Sequence, residues 1–408
     1  MQYLFSGLKV IDCATVIAAP AAAMMLADFG ADVIKIEQPG DGDMLRMLAG
    51  VASAPQADSN WFWQLDGRNK RSLALDLKQP EAMQILKRLI SECDVFICNQ
   101  PYGVRESLGL CYEDLQALNP NIIYASLTAY GEEGPERYRK GFDQLAYWAR
   151  SGLMDLMRAQ GTVPAQGLPG MGDHPTGVAI YAGIVTALLH RERTGEGSFV
   201  HTSLLANGLW SAAGVAQGAM AGGDMPTYRE INKATHAMFR VYEAADGRFL
   251  QFNMIRNEEL LALALTAMDA VELLADPRFA SLEDMWANRA DLGDEIAAIV
   301  RSKSSDAWLS IFAEYDLPIN RVGIVEETPS DEQILTNKMA VPPSSDDVRT
   351  PLIINHPVKV SSAPQVGPTR APELGEHGPE ILRELGYDNA TIEDLIARGA
   401  LQHTPYTG

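Results

Sequence analysis

Basic charge is what this 408-residue chain lacks most. Its 33 Lys and Arg stand against 53 Asp and Glu, for a formal net charge of −20. Nucleic acid needs a basic face, so it is excluded as a general partner. Cysteine is also scarce. Cys13, Cys93, Cys98 and Cys111 form no Cys-x-x-Cys pair, which leaves a metal site without support and points to reduced thiols in the cytoplasm. No apolar run reaches bilayer-spanning length, so no membrane is expected as a partner, and the Met-Gln-Tyr-Leu-Phe start is not a signal peptide. A Gly-x-Gly-x-x-Gly run is missing where it would matter. The turn after the first strand reads Thr15-Val-Ile-Ala-Ala19, which excludes a nicotinamide dinucleotide fingerprint.

What is present reads as α/β. Strands at 8–13, 32–37, 73–77, 94–98 and 122–128 alternate with helices at 20–29, 80–91 and 112–118, the pattern of an open, mainly parallel sheet. Gly30 falls where a helix C-cap belongs. A further helix is expected over 144–157 and loops over 161–172 and 218–234. A hairpin signal, Phe239–Ala244 and Arg248–Asn253 flanking Ala245-Asp-Gly247, opens a region of different pattern. These shifts divide the chain into a large α/β domain over 1–224, a smaller α+β domain over 225–330, and residues 331–408, a Pro/Ser/Asp-rich arm ending in helices at 377–385 and 391–399.

Residues 170–203 are the most informative stretch. Gly170-Met-Gly-Asp173-His-Pro-Thr-Gly177 precedes an uncharged apolar helix at 178–189, which Gly195 closes after a basic last turn. Asp173 therefore stands at the mouth of a buried helix, where it is an N-cap, a general base or a nucleophile. Nucleophilic use suits acyl transfer, because attack on a thioester gives a mixed anhydride that the departing thiol re-attacks. Free amides at the glycine-rich helix start are then expected to hold the oxyanion. Lys70, Arg71, Lys78 and Lys140 are the cations available to offset ligand phosphates.

Several pieces occur together: Asp-Val-Ile-Lys-Ile-Glu37, Gly-Asp43-Met-x-Arg46, Asn-Lys-Arg-Ser72-x-x-Leu-Asp-x-Lys78, Gly-Phe-Asp143, Gly-Asp173-x-x-x-Gly177 and Arg-x-Arg-Thr-Gly195-x-Gly-x-x-Val200. In combination and order they resemble the class III CoA-transferases, a family that also holds methylacyl-CoA racemases. The resemblance implies a Rossmann-like parallel-sheet domain plus a small domain, with two copies interlocked as a homodimer. It implies acyl-CoA and a free carboxylate as substrates, with no permanently bound cofactor. Asp173 matches the aspartate that becomes acyl anhydride and then aspartyl-CoA thioester. Val16, Ile17 and Ala18 match segments that hold CoA or shape the acyl site. So do Leu75, Lys78, Asn99, Gln100 and Pro101, and also Lys140, Phe142 and Asp143.

Departures from the family pattern carry information. Ile17 stands where formyl-CoA transferases have glutamine, which disfavours a small polar acid. Gln38 and Ser107 replace two of their phosphate-binding arginines, with Arg105 as the nearby substitute. Gly222-Gly223 is shorter than their glycine run. Phe142 replaces the racemase histidine and so removes one of two proton carriers, which places a racemase or CoA lyase second. A non-catalytic CoA-binding protein is the third reading. Val-Ile-Ala-Ala-Pro20, Gly-Phe-Asp143-x-x-Ala-Tyr147-x-Ala-Arg150 and Gly-Asp173-His174 are most similar to the branch acting on 2-hydroxyisocaproate and phenyllactate.

Overall fold

The structure is a computed structural model that describes residues 2–158, 161–231, 237, 240–252 and 258–407. The chain separates into two compact units. The first comprises Met1–Leu156, Ala165–Ala213 and Asp331–Gly408; the second comprises Met157–Pro164 and Gly214–Ser330.

A seven-stranded sheet forms the first unit. Its strands are β1 (Lys9–Asp12), β2 (Asp32–Glu37), β3 (Arg71–Leu75), β4 (Val95–Cys98), β5 (Ile123–Thr128) and β6 (Ser198–Ser203), with Leu401–Gln402 at one edge. The spatial order is Leu401–Gln402, β3, β2, β1, β4, β5, β6. Neighbours are parallel except for Leu401–Gln402, which runs antiparallel to β3. The strand order therefore reverses between β1 and β4. A doubly wound sheet opens a crevice at such a point, outside the carboxyl ends of the strands.

Helix α1 (Ala18–Asp28) follows β1, α2 (Pro80–Glu92) follows β3, and α3 (Asp173–Thr194) precedes β6. Every residue of α1 is buried, which its Ala-rich sequence allows without voids. α3 starts five residues earlier than the apolar run alone suggests, and it ends on Gly195 in the left-handed conformation. The two helices cross closely at Gly177. A Cβ there would lie 2.7 Å from the Ala18 carbonyl oxygen and 3.1 Å from the Ala21 Cβ. This crossing presents the first turn of α3 to the turn that follows β1.

Behind that turn lies a cluster of buried charges. Lys35 reaches Asp43 at 2.7 Å and bonds the Ala14 carbonyl; Lys70 reaches Asp12 at 2.9 Å and the Pro20 carbonyl at 2.8 Å. Burial alone would raise the Asp12 carboxyl, yet the two ammonium groups hold it below its ordinary value. Lys70 is thus committed inside, and Arg71 pairs with Asp32 and Glu384, so neither supplies the free phosphate-facing cation the sequence suggested. The C-terminal segment closes over this region. Pro372 accepts from Trp63 and Arg46, and Gly375 donates to Ser72.

Two local expectations need correction. The helix expected over 144–157 is a π-helical turn at Gln144–Ala149 followed, after Gly152, by the short helix Leu153–Met157. The segment expected as loop over 218–234 is largely helical, at Ala213–Met220 and Met225–Ile231, and its last residues lie outside the described ones. The first break follows Asp143, whose carboxylate caps the π-turn while held by the distant Gly172 amide, and in the second segment Ala, Met, Gln and Glu favour helix despite its glycines.

The second unit has its own core, packed between helices and the antiparallel strands Val241–Glu243, Phe249–Phe252 and Ile319–Arg321. The expected hairpin is the first pair of these. Phe239 and Asn253, the outer ends of that expectation, lie outside the described residues. No helix of the described residues is long and apolar enough to cross a membrane.

Replacing Gly177 with Val forces α1 and α3 apart. Overpacking of this kind costs about 1–3 kcal/mol. A urea melt of Gly177→Val is expected to show a lowered midpoint; an unchanged midpoint contradicts the close crossing.

Candidate active site

The crevice at the strand-order reversal is lined from four directions. The turn after β1 contributes Thr15, Val16, Ile17 and Ala18, and the end of β4 contributes Asn99, Gln100 and Pro101. The loop after β5 contributes Arg137, Arg139, Lys140 and Phe142, and α3 contributes Asp173. The hollow encloses about 240 Å³. A second hollow of about 700 Å³ shares Thr15 and Gln100 in its wall and adds Leu75, Lys78, Gln38 and Ser107. Together they form a groove along the carboxyl edge of the sheet, with Asp173 in one half and Lys78 in the other.

Hydrogen bonds fix the wall. The Asn99 side chain accepts from the Thr15 amide at 2.8 Å and donates to the Thr15 carbonyl at 2.7 Å, tying β1 to β4. Val16 sits at φ +68°, a strained conformation for a β-branched residue, and its amide donates to Asp43 at 2.9 Å. The amides of Ile17 and Ala18 at the start of α1 have no hydrogen-bond partner among the described residues. Pro20 follows within the same turn.

Asp173 is the first residue of α3, and Gly172 takes the cap position. The N-cap reading of Asp173 therefore falls, since its carboxylate caps nothing and accepts no hydrogen bond from the described residues. The expected oxyanion donors at this helix start are also spent. The Gly172 amide donates to Asp143 at 3.1 Å, and the amides of Asp173 and His174 donate to the Gly170 carbonyl at 3.1 and 3.3 Å. The unpartnered amides instead belong to α1.

Burial pushes the Asp173 carboxyl up to about 7, with Asp143 and Asp66 adding to the rise and His174 opposing it. Such a group is ionised just above neutrality and stays a strong nucleophile or base. Asp143 does not line the groove. It is buried, holds the Gly172 amide with one oxygen and caps the π-turn with the other, at 2.8 Å to the Gln144 amide. A Cβ on Gly172 would lie 2.6 Å from the Tyr147 ring, so the turn fits only glycine there.

Arg105 does not serve as the substitute phosphate ligand. It is 2% exposed, with its guanidinium on Glu132 at 3.1 Å and Ser126 at 3.0 Å, and turning outward would strand a buried carboxylate. The cations that line the groove are Lys140, Arg137 and Arg139 in the Asp173 half and Lys78 in the other. Arg137 stacks on Tyr102 at 3.8 Å, and Arg139 stacks on Tyr130 at 4.9 Å. Sequence reasoning missed these two arginines, although the run Glu136-Arg-Tyr-Arg-Lys140 interleaves base with aromatic and was readable. It also missed Asp66, for which no sequence signal exists. Among the described residues no group of His, Cys, Asp and Glu is placed to hold a metal ion.

A doubly wound sheet with a lone, near-neutral aspartate at its switch point and cations along the same groove is the arrangement of an acyl-thioester enzyme. The chain belongs to CoA-transferase family III, whose family model matches residues 5–378. It is thus an enzyme of the class III CoA-transferase type, acting on CoA thioesters. It is 32% identical to (R)-2-hydroxy-4-methylpentanoate CoA-transferase of Clostridioides difficile, covering 96% of this chain and 98% of that one. It is 33% identical to cinnamoyl-CoA:phenyllactate CoA-transferase of Clostridium sporogenes, covering 96% of each. Among solved structures, a CAIB/BAIF family protein from Brucella suis superposes with a TM-score of 0.81 at 29% identity, covering 94% of this chain and 100% of that one.

The position of the Asp173 ionisation sets a pH dependence. Its value is raised, so the carboxylate takes up a proton as pH falls through about 7. The rate of covalent capture at Asp173 is expected to fall about tenfold per pH unit below that point. A rate flat from pH 5 to 8, as an ordinary carboxylate near 4 would give, contradicts the assignment.

Proposed function

We propose that this enzyme moves CoA from an acyl-CoA to a free carboxylic acid through covalent intermediates on Asp173. A carboxylate oxygen of Asp173 attacks the thioester carbonyl, and CoA thiolate leaves, giving a mixed anhydride. The thiolate attacks the aspartyl carbonyl and expels the donor acid, giving aspartyl-CoA thioester. The acceptor carboxylate repeats these steps in reverse. Each step exchanges one acyl–oxygen bond for one acyl–sulfur bond, and no proton or electron is gained or lost.

The observation that carries this reading is the Asp173 carboxylate itself, lining the groove at the switch point without a hydrogen bond and raised to about 7. Ile17 and Ala18 offer free amides where the tetrahedral oxyanion would form, at the positive end of the α1 dipole. Lys140, Arg137 and Arg139 suit CoA phosphates despite the acidic whole, and Lys78 extends that charge along the groove. Among the sequence candidates, Val16, Asn99, Gln100 and Pro101 shape the wall near the thioester, and Leu75 lies in the far half.

Ile17, Phe142, Leu127 and Leu204 give the Asp173 half an apolar side beside its three cations, which favours an acid of medium size with aliphatic or aromatic character. A 2-hydroxy acid of that size agrees with the substrates in the names of the two relatives above. Phe142 offers no proton to a carbanion, which favours transfer over racemisation. We read the working form as a homodimer with interlocked copies, in the cytoplasm, where the four free cysteines suit a reducing compartment.

Incubation with a panel of acyl-CoAs, quenching with hydroxylamine and peptide mass spectrometry tests the reading. Modification is expected on Asp173 alone, and Asp173→Ala is expected to lose transfer by about a thousandfold or more. An unmodified protein that still turns over, or a fully active Asp173→Ala, overturns it.

A further inference from the structure

Asp66 is a buried carboxylate that the chemistry above does not use. It lies in the helix Trp61–Gly67, is 1% exposed, and neither of its oxygens meets hydrogen-bond geometry with any of the described residues. A bare carboxylate in such a place is unstable unless a cation faces it. The side chain at ion-pair distance is His174, with Nε2 3.4 Å from the Asp66 oxygen. Lys70 is the other cation within electrostatic reach of Asp66, but its ammonium bonds Asp12 and Pro20. His174 directly follows Asp173 in the first turn of α3. His174 thus stands beside Asp66 in space and beside the groove-lining Asp173 in sequence.

We propose that Asp66 keeps His174 as an imidazolium, and that this fixed positive charge holds Asp173 ionised for attack. His174 is a positioning residue here, not a proton carrier, because its ring is paired toward Asp66. The groups that bear on Asp173 are Asp143, Asp66 and His174, and only His174 favours the charged form. The groups that bear on His174 are Asp66, Asp173 and the Gly170 backbone; burial disfavours its charge, and these partners, Asp66 foremost, together outweigh burial. The arrangement reconciles two needs. A desolvated carboxylate is a good nucleophile, but without a nearby cation it would be protonated at working pH. The inference rests on the nucleophilic reading of Asp173 and specifies what tunes it.

Two readouts separate this inference from that reading. In the first, nitrogen-15 spectra follow the His174 ring with pH. The native ring is expected to stay protonated above the ordinary histidine range, and Asp66→Asn is expected to lower its midpoint by about one unit or more. In the second, the pH profile of covalent capture at Asp173 is compared with that of His174→Gln. Loss of the cation raises the Asp173 value, so the acid limb is expected to move about one unit to higher pH. A native ring that titrates normally, or an acid limb that stays in place in His174→Gln while capture still occurs, overturns the proposal. If Asp66→Asn fails to fold, the acid limb of His174→Gln decides alone. Absence of capture in the native protein overturns the nucleophilic reading, and the ring titration still tests the Asp66–His174 pair.

Discussion

The turn between β1 and α1 depends on charges buried behind it. Lys35 and Lys70 bond carbonyls at both ends of the turn, at Ala14 and Pro20, while Asp43 grips the Val16 amide in its strained conformation. Dinucleotide-binding sheets shape this turn with glycines. Here apolar residues occupy it, and the cluster of Asp12, Lys35, Asp43 and Lys70 supplies the constraint. Strain of the Val16 kind costs about 1–3 kcal/mol and persists only where the surroundings over-determine it. The outcome is a constrained, apolar wall that lines the groove and carries two amides without partners among the described residues. That wall suits a thioester carbonyl better than a pyrophosphate.

Opposite the wall, the glycine turn before α3 is equally constrained, for a different purpose. Asp143 and the Gly170 carbonyl consume the amides that would otherwise solvate the Asp173 carboxylate. Tyr147 excludes any side chain at Gly172, so the turn cannot relax outward. Asp143 acts twice, as the anchor of the turn and as a negative charge that lifts the Asp173 carboxyl. An unpaired, half-desolvated carboxylate is a liability for stability. Its presence at the switch point makes sense as stored reactivity.

Much of this was readable from the chain. Alternating strands and helices announced the parallel sheet. The motif around Asp173 marked the residue that faces the groove, because glycines and a proline ahead of a buried helix make an unusual turn. What the sequence concealed was which charges are free. Lys70, Arg71 and Arg105 look like surface cations in a linear reading, yet each finds a carboxylate distant in sequence: Asp12, Asp32 and Glu132. Such pairings come from the sheet order, which no local spacing encodes. Arg137, by contrast, stacks on Tyr102 and lines the groove, while Arg139 lines it too but pairs with Glu136, only three residues away. The π-turn at Gln144–Ala149 was hidden for the same reason. Its geometry follows from Asp143 being held by Gly172, 29 residues away.

The central claim is that an oxygen of Asp173 enters the covalent path. A single turnover with acceptor acid carrying heavy oxygen in its carboxylate tests it directly. The bridging oxygen of the second anhydride comes from the acceptor and remains on the aspartate when CoA departs with the new acyl group. The peptide containing Asp173 should therefore gain one heavy oxygen, and no other peptide should. Transfer of CoA to the acceptor with no label in the protein would contradict the account.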